Sequence, residues 1–366
     1  MIKPVQSLFH KLKTWGPTLG FLGGFFWDAI TLGKNIQSLD LFLLLGYWLG
    51  AAILLYWMAH RPPNPEDPGE VDSLSTAKWK SILLWCRTES PHFILQFFFG
   101  GLFSALVIFY FKSAGNWTGY LLVFALATLM ILNEIWDSHY HRFTLTWTLF
   151  GICGIFFLNF ALPHLFKSIH PLWFYLSTLL GVACTWLLSR LSPNASGHFW
   201  PTPVLGGILI VLFLFKLIPP VPMVLKEIAI GHHLEKTLMG YSIEIEAPPW
   251  WKPLRRSERE VHVRGEPIYC LSSIFLPEGL TPKLYHRWVK WNTLHKNWET
   301  FSHIGFTVSG GRKAGFRGYS YKNALPEGLW QVRVESEDGR QLGVTQFEVV
   351  SGPMATDVEW KKILLQ

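Results

Sequence analysis

Charge is what this sequence has least of. Only 16% of its 366 residues are Asp, Glu, Lys or Arg, against about 25% in an ordinary soluble domain. Half are hydrophobic, so a single water-soluble globule is excluded for the chain as a whole. Cysteine is scarce as well: Cys86, Cys153, Cys184 and Cys270 are the full set. They form no Cys-x-x-Cys pair, which leaves neither a zinc knuckle nor a disulfide framework to read. No His-Glu-x-x-His, no Gly-Lys-Ser/Thr loop ahead of a helix, and no Ser-His-Asp, Cys-His or paired-carboxylate spacing is present. The reading therefore leans away from an enzyme and implies no cofactor and no metal. The basic start (Lys3, Lys11, Lys13) runs into apolar sequence without a small-x-small cleavage site, which predicts an uncleaved first span.

What charge there is lies unevenly. Residues 1–225 hold 13 of the 32 Lys and Arg and 9 of the 25 Asp and Glu; the shorter remainder holds the rest. Apolar runs of the ~20 residues that cross a bilayer are expected at 17–33, 40–59, 92–112, 117–136, 143–165, 170–189 and 200–220. Pro219-Pro220-Val221-Pro222 then ends the last one, since a helix cannot continue through it. The expected architecture is an α-helical transmembrane bundle of about seven spans over 1–222, followed by a separate domain over 223–366. The lipid bilayer is the first partner. Lys and Arg in the short loops number nine on the N-terminal side and three on the other. The positive-inside rule places the richer side in the cytoplasm. An odd span count then makes the C-terminal domain extracytoplasmic, periplasmic in a bacterial inner membrane. Basic residues beside spans account for the pI near 9.1, so it argues for no nucleic-acid partner.

Beyond Pro222 the period changes from helical runs to alternation. Trp330-Gln331-Val332-Arg333-Val334-Glu335 alternates strictly, as a strand with one buried face does, and this places Trp330 in a core. Glu337-Asp338-Gly339-Arg340 supplies a tight turn, and Val344–Val350 returns. Further strands are expected at Lys226–Ile230, 241–246, 267–276, Leu284–Trp291, Phe301–Ser309 and Gly318–Lys322. About eight short strands with regular turns predict an all-β antiparallel sandwich, immunoglobulin-like in kind.

The segment Gly310-Gly311-Arg312, Gly315-Phe316-Arg317, Tyr319-Ser320, then Pro326, Gly328, Trp330, Val332, and finally Gly339, Leu342, Gly343, Phe347, Val349 resembles the C-terminal domain of an uncharacterised family of bacterial membrane proteins. His286-Arg287-Trp288 is similar to that family too, as are several membrane stretches. The resemblance implies a multi-span protein ending in a β-domain of unknown function, and it implies no chemistry.

Two groups of residues are candidates for function. In the bundle, Asn133, Glu134, Asp137, His139 and His141 gather at a span end, and Asp28, Gln96 and Lys216 are the other polar residues inside apolar runs. Ionisable groups in lipid are expensive and therefore candidates for ion or proton handling; the plainer reading is a polar helix end and structural pairing. In the β-domain, the loop around Arg312, Lys313 and Arg317 joins glycine backbone to three positive charges, with Tyr319, Trp288 and Arg287 as neighbours that a sugar ring or an anion can use. Its plainer reading is a turn. These grounds favour an interaction protein whose β-domain binds an anionic envelope glycolipid or another membrane or periplasmic protein. The alternative is a membrane-embedded transporter or lipid-modifying enzyme carrying the β-domain as an accessory.

Overall fold

The computed structural model describes residues 25, 28, 30, 38–60, 90–114, 117–135, 143–192, 197–237, 240–247, 260–262, 267–276, 281–308, 316–350 and 360–365. They divide into two compact units. One holds Met1–Phe109, Phe124–Ala161 and Phe174–Leu212; the other holds Tyr110–Val123, Leu162–Trp173 and Phe213–Gln366.

Six helices among the described residues run in chain order: α1 (Ser38–Ala59), α2 (Ser90–Ser113), α3 (Trp117–Ile135), α4 (Phe143–Leu165), α5 (Leu172–Arg190) and α6 (Pro201–Leu214). Segments Leu39–Ala59, Ile94–Ser113, Phe143–Leu165 and Leu172–Arg190 are long and apolar enough to cross a membrane, while Trp117–Asn133 and Pro201–Leu214 are shorter apolar helices. Among the described residues four helices meet that length and composition, so the expectation of about seven spans is not supported. The run at 200–220 does not stay helical to its end. Leu214 closes α6, and Lys216 beyond it takes φ +60°. Fourteen residues reach about 21 Å at 1.5 Å each, short of a hydrocarbon core of ~30 Å. Of the expected first span at 17–33, only Phe25, Asp28 and Ile30 fall among the described residues, and they are helical. Within the first unit the indole of Trp48 on α1 donates to the Phe150 carbonyl of α4 at 3.2 Å, and its ring stacks on Phe150 at 5.2 Å.

The β-part has ten strands: β1 (Val224–Thr237), β2 (Gly240–Glu246), β3 (Glu260–His262), β4 (Ile268–Phe275), β5 (Lys283–Asn292), β6 (Asn297–Thr307), β7 (Phe316–Lys322), β8 (Gly328–Ser336), β9 (Gln341–Val350) and β10 (Trp360–Leu365). All eight expected strands are here; β3 and β10 are additional. They form two five-stranded sheets, ordered β10-β2-β1-β4-β7 and β3-β9-β8-β5-β6. The pairings are antiparallel except β3 with β9. Alternation makes one face of each sheet apolar. The two faces meet in a core of Ile230, Ile268 and Cys270 from the first sheet and Trp288, Trp330, Val332, Phe347 and Val349 from the second. This is a sandwich in layering, but its strand order is not the ABED/CFG order of an immunoglobulin domain, which corrects that expectation.

The first sheet also buries part of its other face. Strand β1 pairs with β4 through Val224–Gly231 and with β2 from His232 onward, with a register shift there and φ +46° at His233. A Cβ at Gly231 would sit 2.2 Å from the Glu244 carbonyl, so only glycine permits this close approach. Past the bend, Ile243, Ile245 and Ile363 pack on Ala229 and Leu271, residues whose neighbours Ile230 and Cys270 face the main core.

The hairpin turn reads out as its sequence requires, with Gly339 at φ +74°. Arg340 beside it is buried. Its Nε donates to Asp338 at 2.5 Å, its Nη1 donates to the Phe213 carbonyl at 3.0 Å, and its Cζ lies 3.4 Å from the Phe213 ring centroid. A guanidinium on a carbonyl of the last turn of α6 satisfies an orphan acceptor and opposes the helix dipole.

Candidate functional site

Strand β5 carries His286-Arg287-Trp288, and the pleat sends alternate residues to opposite faces. His286 and Trp288 point inward and are fully buried. The indole of Trp288 donates to Ser320 Oγ at 3.0 Å; His286 Nδ1 lies 2.9 Å from Ser320 Oγ, and its Nε2 lies 2.8 Å from Ser272 Oγ. Ser272 in turn donates to the Gly318 carbonyl at 3.3 Å. One arrangement of protons satisfies every group. Trp288 donates to Ser320, Ser320 to Nδ1, Nε2–H to Ser272, and Ser272 to Gly318. Burial holds the imidazole neutral, with its pKa pushed down to about 3. A Ser-His couple that donates from histidine to serine, faces no carboxylate and is closed to solvent does not make a nucleophile. It is a polar rivet between the two sheets. The Trp288 side chain is thus core and not a ligand platform, which corrects that expectation. Burial likewise pushes the Cys270 thiol well up and leaves it inert.

The outer faces differ from each other. On the first sheet Arg317, Tyr319 and Tyr321 share the outward side of β7, the last strand in its sheet. Tyr319 is 45% and Tyr321 50% exposed. Tyr319 lies beside Tyr241 with ring centroids 5.8 Å apart, and Tyr321 beside Tyr269 at 5.6 Å. Four tyrosines and an arginine thus line one strip at a sheet edge. Arg317 and Tyr319 share this strip; Arg312 and Lys313 lie outside the described residues.

Arg287 points outward from the other sheet, so it does not join that strip. Its strand partner on β8 is Arg333. Glu335 on the same face, its side chain 4% exposed, sits 3.3 Å from Arg287 Nε. That N–H is not aimed at the oxygen, and neither Arg287 Nε nor Glu335 Oε2 has a hydrogen-bond partner. Arg333 donates from Nε and Nη2 to Gln331 Oε1, and Gln331 donates to Gln346 at 2.9 Å. Burial lowers the Arg333 pKa, Glu335 raises it and Arg287 lowers it. Around the pair, Tyr285 stacks on His303 at 4.3 Å, and Trp291 meets Trp298 edge-on at 5.2 Å. Sequence reasoning placed Arg333 outward but did not join it to Arg287, because strand neighbours are not written in the alternation.

In the helical unit, Ser104 on α2 donates to Asp28 at 2.7 Å. Lys216 is exposed and lies past the end of α6, not inside a span. Gln96 and Asn133 exchange amide hydrogen bonds between α2 and α3 at 3.3 and 3.4 Å. The buried Ser177 donates to Asn159 across α5 and α4. Glu134 is in α3; Asp137, His139 and His141 lie outside the described residues. Among the described residues no group of three or more His, Cys, Asp and Glu is gathered to hold a metal.

Comparison with known proteins is sparse. No curated protein matches the chain. The alkylpurine DNA glycosylase AlkC of Pseudomonas fluorescens, solved on DNA with an abasic-site analogue, aligns over 87% of this chain and 83% of its own at 13% identity. The TM-score is 0.20, at which the alignment carries nothing about fold or activity. A family model described as a protein of unknown function, DUF2914, matches residues 282–349. That interval runs from the start of β5 to the end of β9 and takes in His286, Arg287, Tyr319 and Arg333. The C-terminal region of this chain therefore contains a DUF2914 domain.

Proposed function

We propose that this chain is an integral membrane protein of the bacterial inner membrane whose β-domain, over 223–366, binds an anionic envelope glycolipid. The observation that carries the reading is the strip of Arg317, Tyr319 and Tyr321 on the outward face of edge strand β7, with Tyr269 of β4 and Tyr241 of β2 beside them. Exposed tyrosine faces suit sugar rings, and a guanidinium suits phosphate. The glycine-rich loop preceding β7 adds Arg312 and Lys313 by sequence. The helices long and apolar enough to cross a membrane hold the domain at a bilayer; the loop-charge asymmetry puts the N-terminal side in the cytoplasm, and an odd total of spans then puts the domain outside.

The test uses the full chain in zwitterionic nanodiscs with lipid A, a phosphorylated glycolipid, as probe. Binding should be saturable, and Arg317→Gln with Tyr319→Ala and Tyr321→Ala should weaken it at least tenfold. Equal binding by the triple variant removes the strip as the site. Alkaline phosphatase joined after Gln366 should be active, because it forms its disulfides only in an oxidising compartment; activity of a cytoplasmic reporter there instead would reverse the orientation.

A further inference from the structure

We propose a second binding site on the opposite side of the domain, the outward face of β5 and β8 around Arg287 and Arg333, whose ligand is an extended acidic peptide segment of a partner protein. Like charges set directly across a strand pair destabilise a sheet, yet Arg287 and Arg333 are register partners. Among the described residues Glu335 is the carboxylate beside them, so locally two guanidiniums share one carboxylate. The surplus of one positive charge matches a single carboxylate better than a phosphate dianion, which Glu335 would repel.

The unmet hydrogen bonds say more about the ligand. Arg287 Nε and Glu335 Oε2 are both buried and lie 3.3 Å apart, so the groups left to a ligand are those of Arg333. Both Arg333 hydrogen bonds go to the single oxygen of Gln331, so its remaining N–H groups have no acceptor among the described residues. A ligand that completes the site brings an acceptor to Arg333. An extended acidic peptide does this through a carboxylate side chain. The flanking Trp291, Trp298 and Tyr285 supply the rigid aromatic area that, with arginine, dominates protein–protein contacts. This site shares no residue with the strip on β7.

The experiment measures anisotropy of a fluorescein-labelled peptide of alternating Glu and Ser with the full chain in zwitterionic nanodiscs. The peptide should bind, its Gln-Ser analogue should not, and rising salt should weaken it. Arg287→Gln and Arg333→Gln should each lower affinity at least tenfold, and Arg333→Lys should recover part of that, as a charge without the fork. Glu335→Gln should tighten binding severalfold; if that variant does not fold, the arginine variants decide. The Tyr319→Ala and Tyr321→Ala pair should leave peptide binding unchanged, which separates this site from the glycolipid strip. Undiminished binding by both arginine variants overturns the proposal. So does displacement of the peptide by trigalacturonate or inorganic phosphate at lower concentration than by unlabelled peptide, since the ligand is then a glycan or phosphate.

Discussion

The two faces of β5 and β8 are made by adjacent residues and obey different rules. Inside, Trp288, Ser320, His286, Ser272 and the Gly318 carbonyl form a chain in which every donor has an acceptor. Outside, one residue away, Arg287 and Glu335 attract at 3.3 Å and leave their facing atoms without hydrogen bonds. A buried polar group with no partner costs about 1–3 kcal/mol, and between the sheets this set is closed. On the outer face the Arg287 side chain is 37% exposed and that of Glu335 4%, so there the mismatched pair is carried at a cost. The difference teaches where to look for ligands in a domain without a catalytic constellation: at the polar groups the fold has not finished pairing.

The largest expected effect breaks the inner face. Trp330 is fully buried and its indole donates to the Pro326 carbonyl at 2.8 Å. Trp330→Ala should cost ~3–5 kcal/mol through cavity and lost packing, read from denaturant midpoints of the β-domain signal.

The next sharpens what the closed chain does. The His286 pKa falls from 6.5 to about 3 on folding, so between those values the unfolded chain binds a proton that the folded one refuses. Stability is full above pH 6.5 and falls by up to about 1.4 kcal/mol for each pH unit below it. Removing the titrating ring, as in His286→Phe, should flatten this slope while costing roughly 1–3 kcal/mol at neutral pH through the unpaired serines. Denaturant melts at pH 7, 6, 5 and 4 compare the two.

A buried cation away from both faces gives a third test. Arg340→Ala deletes the hydrogen bonds to Phe213 and Asp338 and should destabilise by about 1.5–3 kcal/mol, seen as a lower thermal midpoint. The smallest effect is expected at the outer face. Arg333→Gln removes a half-exposed charge that repels Arg287, so the thermal midpoint should shift by no more than ~0.5 kcal/mol equivalent. A loss as large as that of Arg340→Ala would make Arg333 a scaffold residue and erase the contrast.

Much of this was legible in the order of residues. The change at Pro219–Pro222 from apolar runs to alternation separates helices from strands, because the two periods are set by backbone geometry alone. Strict alternation from Trp330 to Glu335 put Trp330 inside, and Asp338-Gly339 named the turn, since glycine takes φ +74° without strain. The run at 200–220 was less legible, because apolar composition marks where a helix can lie and not where its hydrogen bonds stop. The inward turn of Trp288 follows from alternation once β5 is known. Only the tertiary structure decided that Ser272 and Ser320, from a different sheet, close the chain around its neighbour His286. Tertiary structure alone likewise made Arg287 the partner of Arg333, shifted the register of β1 at His232–Leu234, and set the tyrosine strip and the arginine pair on opposite sides of the domain. The physical reason is common to all four. A residue's own neighbours in sequence fix its period and its face, whereas which strand lies beside it is settled by hydrogen bonds and packing between segments far apart in the chain.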